Sequence, residues 1–170
     1  HGEADQGSAS FSKNASLTML QGDFHYRQKA FELMASGVTT QLTGANRHFA
    51  RLGVSFTLAG VDSLPDGAMH IETRADRNAV AVGRLGGRII HVFIVGQLDD
   101  VDVEGSIAYG VTWRRPNDTR KYIIVSAQAL ERTLAHELGH FFGLPHSTYD
   151  VSIMNKADRK EPPVEQRTFA

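Results

Sequence analysis

The chain has 170 residues, 41% of them hydrophobic and 22% charged, with a net charge of −1 at pH 7 and no cysteine. This length fits one domain with a sizeable core, and the near-neutral balance excludes a strongly basic nucleic-acid-binding face. The lack of cysteine excludes disulfides and thiolate metal ligands, and no apolar run approaches the roughly 20 residues of a membrane span.

Residues 1–15 are rich in small and polar groups and read as a loose N-terminal arm. Ser16–Gln21 sets Leu17 and Met19 between polar neighbours, the period-two mark of a first strand. Arg27, Phe31, Met34, Val38, Leu42, Ala45, Phe49 and Leu52 follow at steps of three and four. That spacing predicts a long amphipathic helix, with Gly37 and Gly44 as its weak points. Val54–Val61 reads as a second strand and Ser63–Asp66 as a turn around Pro65. Residues 66–88 are irregular apart from a short helix near Arg77–Leu85. Ile89–Val95 is a continuous apolar run, the pattern of a strand buried on both faces. His91 within it is expected to be a core histidine rather than a ligand. Ser106–Trp113 and Tyr122–Ser126 are two further strands. Ser126 is the expected N-cap of a helix over Ala127–Phe142, with Leu130, Leu134, Leu138 and Phe141 on its buried side. An irregular tail follows Gly143.

The chemistry concentrates in HELGHFFGLPH, His136 to His146. His136 and His140 are four apart, so on a helix their rings share one face, one turn above the other, and two imidazoles reach one ion. Gly143 can take positive φ, end the helix and swing His146 back as a third ligand. Three protein ligands leave a fourth position open, the catalytic rather than the structural zinc pattern. Glu137, beside the first ligand, can serve as general base toward a metal-activated water.

This segment resembles the metzincin signature HExxHxxGxxH. Ser152-Ile153-Met154 resembles the Met-turn that metzincins place beneath the zinc, with Met154 as its key residue. The distance of Met154 from His146, and Ser147 directly after that histidine, are similar to matrixins; Arg132-Thr133-Leu134-Ala135 and Ile153-Met154-Asn155 also resemble the pappalysin-like branch. The resemblance implies an α+β zincin fold: a mixed, mostly parallel sheet with two main helices in an upper subdomain (about 16–143) over a small irregular C-terminal subdomain (about 144–170), all one catalytic domain. It implies one catalytic zinc on His136, His140 and His146, Glu137 as general base and then proton donor, and Gly105–Gly110 as the edge strand above the cleft, with Ile107, Ala108, Tyr109 and Gly110 aligning the substrate backbone. Lys156 stands where some metzincins carry a tyrosine, so a tyrosine switch from that position is not expected. Only His91 lies where matrixins recruit histidines for a second zinc, so none is expected.

Two readings remain open beside these. Asp99, Asp100, Asp102 and Glu104 could offer oxygen ligands to calcium, or form a solvated acidic loop. The expected activity is a zinc endopeptidase acting on proteins or peptides; the alternatives are an inactive zinc-containing peptide-binding module, or a zinc aminopeptidase or amidase. A monomer is expected, with a propeptide or protein inhibitor as a candidate partner and neither nucleic acid nor membrane. A chain that starts at His1 suggests processing, and hence a secreted or extracellular location.

Overall fold

The computed structural model describes residues 16–22, 29–64, 70–149 and 152–156; side chains before 37 are not described. The N-terminal arm, Arg27, the residues at Pro65–Asp66 and the chain beyond Lys156 lie outside this set, as do the side chains of Leu17, Met19, Phe31 and Met34. The elements are β1 (Ser16–Gly22), α1 (Lys29–Phe49), a 3-10 turn (Ala50–Leu52), β2 (Thr57–Leu64), β3 (His70–Ile71), α2 (Arg74–Ala79), β4 (Ile89–Val95), β5 (Gln97–Leu98), β6 (Gly110–Arg114), β7 (Lys121–Ser126) and α3 (Thr133–Phe141).

The main sheet has the order β2-β1-β4-β7-β6. Its first four strands are parallel, and β6 pairs antiparallel with β7 at the edge. The expected mixed, mostly parallel sheet is therefore present. Alternation along the central strands feeds two cores. Ile90, Val92, Ile123 and Val125 face α1 and α3, where they meet Val38, Ala45, Phe49, Leu134, Leu138 and Met154. Phe93, Val95, Tyr122 and Ile124 face the opposite way, toward Leu64, Ile71, Val80 and Leu98. Both faces of β4 and β7 are thus covered, as their unbroken apolar runs require.

α1 runs through Gly37 and Gly44 without a break. Gly44 is instead a contact point: a Cβ there would stand 2.5 Å from the Glu131 carbonyl oxygen, so glycine lets the chain ahead of α3 lie against α1. Asn46, one turn from its end, clamps the approach to β2, accepting from Phe56 N at 2.7 Å and donating to its carbonyl at 3.0 Å. β2 starts at Thr57, three residues later than expected, and retains Ser63 and Leu64, which had been read as a turn.

Two helices start away from their expected positions, one set by a local cap and one by a distant side chain. α2 starts at Arg74 rather than near Arg77, because Thr73 and Asp76 form a reciprocal capping box, each side chain accepting from the other's backbone N–H. Its Arg77 is 3% exposed. That guanidinium donates to the Asp99 carbonyl at 2.6 Å, while the Arg77 carbonyl accepts the Tyr122 hydroxyl at 2.6 Å, which ties α2 to the sheet.

α3 starts at Thr133, not Ala127, and Ser126 does not cap it. The Ser126 hydroxyl is used in the preceding turn, where it accepts from Gln128 N. The helix end is capped from α1 instead: Gln41 Oε1 accepts from Leu134 N at 3.0 Å, and Gln41 Nε2 donates to the Ala129 and Leu130 carbonyls. A short-range rule cannot see a cap supplied from 93 residues away. With the helix starting later, Leu130 falls in the turn and is 48% exposed rather than buried. After Phe141 the described residues hold no further helix or strand, in keeping with the small irregular subdomain.

Candidate metal centre

α3 carries His136 and His140 one turn apart, and the chain reverses directly after it. Gly143 takes φ of 99°, a conformation that side chains disfavour, and the turn closes through Gly143 N to the His140 carbonyl and Leu144 N to the Gly139 carbonyl. That reversal returns His146 to the first two rings. The His136 and His140 Nε2 atoms are 3.0 Å apart, and those of His140 and His146 are 3.1 Å apart. Among the described residues, these three form the only group of acid or imidazole ligands converging on one point.

The second nitrogens explain the aim of the rings. His136 Nδ1 donates to the Ile153 carbonyl at 2.7 Å, and His140 Nδ1 to the Leu144 carbonyl at 2.8 Å. With hydrogen on Nδ1, both Nε2 atoms present lone pairs to each other. Two such lone pairs repel at 3 Å unless a cation lies between them. A tetrahedral zinc with nitrogens at about 2.0–2.1 Å sets its ligands about 3.3 Å apart, within a few tenths of an ångström of the observed spacing. The residues therefore fit the ion, including the carbonyl partners that hold such ligands in place. Burial pushes His136 down to about 4, and it also lowers His146. Both shifts favour the neutral, ligating imidazole.

Met154 is 1% exposed and packs beneath α3. Its sulfur occupies the space at Gly139, where any Cβ would run into it. Gly139 is thus the residue that admits Met154 under the helix. The sequence held a signal for it, a glycine inside an apolar helix that propensity alone disfavours.

Glu137 reaches from α3 to the edge strand β6, where it lies against Gly110 and Thr112. It is 5% exposed. Burial pushes its carboxyl up to about 7, against the opposing pull of the Thr112 hydrogen bond and the Arg77 charge. The Thr112 hydroxyl lies 2.6 Å from the Glu137 carbonyl and 3.0 Å from its Oε2. A Cβ at Gly110 would stand 2.9 Å from Glu137 Cγ, so glycine here makes room for the carboxylate arm behind the strand. Neither Thr112 nor Lys121 was singled out in the sequence. Lys121 donates to the Phe141 carbonyl at 3.0 Å and so satisfies the C-terminal end of the zinc-bearing helix.

The other expected site residues are distributed differently. The edge strand starts at Gly110, not Ser106. Ile107 makes only an isolated bridge to Asp99, Ala108 N donates to the Leu98 carbonyl, and the Tyr109 carbonyl accepts from Ser126 N. Those backbone groups are already engaged, and the outer edge is left to Gly110–Arg114. The acidic stretch does not form a calcium site among the described residues. Asp99 is held by His70 and Gln97, Asp100 accepts from Asp102 N, and Asp102 pairs with Arg74, so the carboxylates turn to separate partners. Glu104 is exposed and joins no ligand group. His91 is a buried core residue, with Nε2 3.0 Å from Gly86 N.

A mostly parallel sheet, a helix bearing two imidazoles, a third returned by a glycine turn and a methionine underneath define a zinc peptidase of the metzincin class. The family model described as Matrixin matches residues 6–166, and the chain belongs to that peptidase family. The fold is similar to that of archaemetzincin (amzA) from Methanopyrus kandleri, with a TM-score of 0.55 and 16% identity over 89% of this chain and 84% of that one. A zinc-dependent peptidase from Methanocorpusculum labreanum aligns with a TM-score of 0.45 and 14% identity, over 89% of this chain and 93% of that one. Among curated proteins none matches this chain.

Proposed function

We propose that the protein is a zinc-dependent endopeptidase in which Glu137 is the general base. The observation that carries the reading is the facing pair of imidazole lone pairs 3.0 Å apart, each ring fixed by a hydrogen bond from Nδ1 to a backbone carbonyl. Zinc held there by His136, His140 and His146 supplies Lewis acidity and lowers the pKa of water toward neutrality.

The remaining work falls to the chain's own groups. β6 offers a five-residue outer edge on which no described strand lies, enough to take an extended peptide as an added strand. That edge suits a peptide continuing past the site in both directions, which favours internal cleavage over removal of a terminal residue. Glu137 sits behind the same strand. Its carboxylate takes the proton of the attacking water and passes it to the departing amine. Thr112 holds one carboxylate oxygen and so fixes which way the base faces.

The test compares wild-type protein and Glu137→Gln on a peptide library, with cleavage sites mapped and zinc content measured. The variant is expected to keep its zinc and to lose about 10^3-fold in cleavage rate. Cleavage that survives in Glu137→Gln, or that survives complete chelation in the wild type, refutes the mechanism. Release of amino-terminal residues alone would favour the aminopeptidase alternative.

A further inference from the structure

The three rings of the metal centre are not held alike. His136 and His140 sit on α3, and each is aimed by a bond from Nδ1 to a backbone carbonyl. His146 lies beyond the helix and is exposed, and among the described residues its Nδ1 has no such bond. Its place is therefore set by the path of the chain from Phe141 onward.

That path closes on itself through short bonds. Gly143 N donates to the His140 carbonyl, Leu144 N to the Gly139 carbonyl, and His140 Nδ1 to the Leu144 carbonyl. All three lie within the helix end and the turn, so none of them ties the turn to the sheet. The Phe141 carbonyl needs a donor from elsewhere, because Pro145, four residues further on, has no N–H to give. Lys121 supplies it. Its Nζ lies 3.0 Å from the Phe141 carbonyl oxygen and 3.4 Å from that of His140.

β7 delivers this ammonium by register. Side chains alternate along a strand, and Ile123 and Val125 face α3, so Lys121 faces it as well. The first residue of β7 thereby meets the last turn of α3, where a cation also complements the negative end of the helix dipole. The ammonium touches the carbonyl of the second ligand and that of the next residue, at the point where the chain leaves the helix for the third ligand.

We infer that Lys121 is a positioning residue of the metal centre: its ammonium anchors the turn after α3 to the sheet and so holds His146 within reach of the ion shared with His136 and His140. The inference rests on the three-histidine centre and not on peptide cleavage, since nothing in it requires turnover.

Zinc affinity is measured by competition with a chelator in wild-type protein, Lys121→Met, His146→Ala and the double variant. Methionine keeps the apolar stem and removes the ammonium. Lys121→Met is expected to bind zinc about 10-fold more weakly, the usual order for losing a group that orients a ligand. In the His146→Ala background the same substitution should have no effect, because the ligand through which it acts is gone. With cobalt(II) in place of zinc, the visible band of Lys121→Met should move toward that of His146→Ala. A merely structural lysine would lower the urea midpoint of the metal-free protein and leave both metal readouts unchanged, which overturns the inference. So does an equal loss of affinity with and without His146. Should Lys121→Met not fold, Lys121→Gln, uncharged and one bond shorter, takes its place with the same expectations. A wild type that takes up no zinc removes the centre and this inference with it, whereas one that holds zinc and cuts no peptide refutes only the endopeptidase reading.

Discussion

The two faces of the central sheet are built from the same strands and serve different ends. On one face, β4 and β7 give Ile90, Val92, Ile123 and Val125 to a core roofed by α1 and α3, and every residue of the metal centre hangs from that roof or its return loop. On the other, Phe93, Val95, Tyr122 and Ile124 meet short elements and loops, stiffened by the buried Arg77 and by Trp113. The first face is held by backbone carbonyls that orient rings, the second by side chains stacked on one another. Equal burial therefore need not mean equal consequence for chemistry.

Paired truncations separate the two. Leu138 and Ile124 are both 0% exposed, one on each face. Leu138→Ala and Ile124→Ala should each destabilise the domain by about 3 kcal/mol in urea unfolding. Only Leu138→Ala should also weaken zinc affinity, because Leu138 lies between the two ligands of α3. Equal loss of zinc affinity in both variants would show that the sheet couples its faces and would remove the distinction drawn here.

Gln41 sharpens the same contrast through a single side chain. It accepts from Leu134 N and donates to the Ala129 and Leu130 carbonyls, so α1 fixes where the zinc-bearing helix begins. Gln41→Ala strands a helix-start N–H and two carbonyls, at a cost of about 2 kcal/mol. The capping box of α2 is a local counterpart on the other face; Thr73→Ala should cost about 1 kcal/mol and leave zinc affinity intact. Thermal unfolding with and without zinc reads both values.

This contrast also explains what the sequence made legible. The ligands, Glu137 and the Met154 support sit within 20 residues, and their spacing encodes helix periodicity and a glycine reversal directly. The strands buried on both faces announce themselves as apolar runs, and Ile89–Val95 was readable to the residue. Gln41, Thr112 and Lys121 act across long sequence distances on backbone atoms, which no local pattern marks. The start of α3 was misplaced for that reason. Gly110 was read only as one of the residues aligning a substrate backbone; its missing side chain also makes space for Glu137.

Thr112→Val should leave stability nearly unchanged and act on Glu137, the proposed base. The hydroxyl bond holds the Glu137 pKa down against burial. Its loss raises that pKa, so more of the base is protonated at a given acidic pH. The acid limb of the pH–rate profile should therefore move to higher pH, with cleavage at pH 6 falling about 10-fold. A profile that drops in height without shifting would assign Thr112 to positioning alone.

The smallest expected effect is the pH dependence of stability in the metal-free domain. Burial holds His136 at about 4 against its usual 6.5, so between pH 6.5 and 4 the unfolded chain binds a proton that the folded domain lacks, and stability falls as pH falls. Glu137 is pushed up to about 7 from 4.5, so between pH 4.5 and 7 the folded domain keeps a proton that the unfolded chain has lost, and stability falls as pH rises. Across pH 4.5–6.5 the two oppose, and His146, also held below its usual value by burial, tilts the balance only modestly toward loss in acid. A shallow curve is expected with chelator present. Zinc requires neutral imidazoles and favours an ionised Glu137, so the loaded protein should lose the opposing Glu137 contribution and gain stability steadily from pH 4.5 to 6.5. Urea midpoints over that window, with and without zinc, measure both curves. Parallel slopes would mean that ion binding leaves these groups' protonation unchanged, which is incompatible with a centre built on their lone pairs.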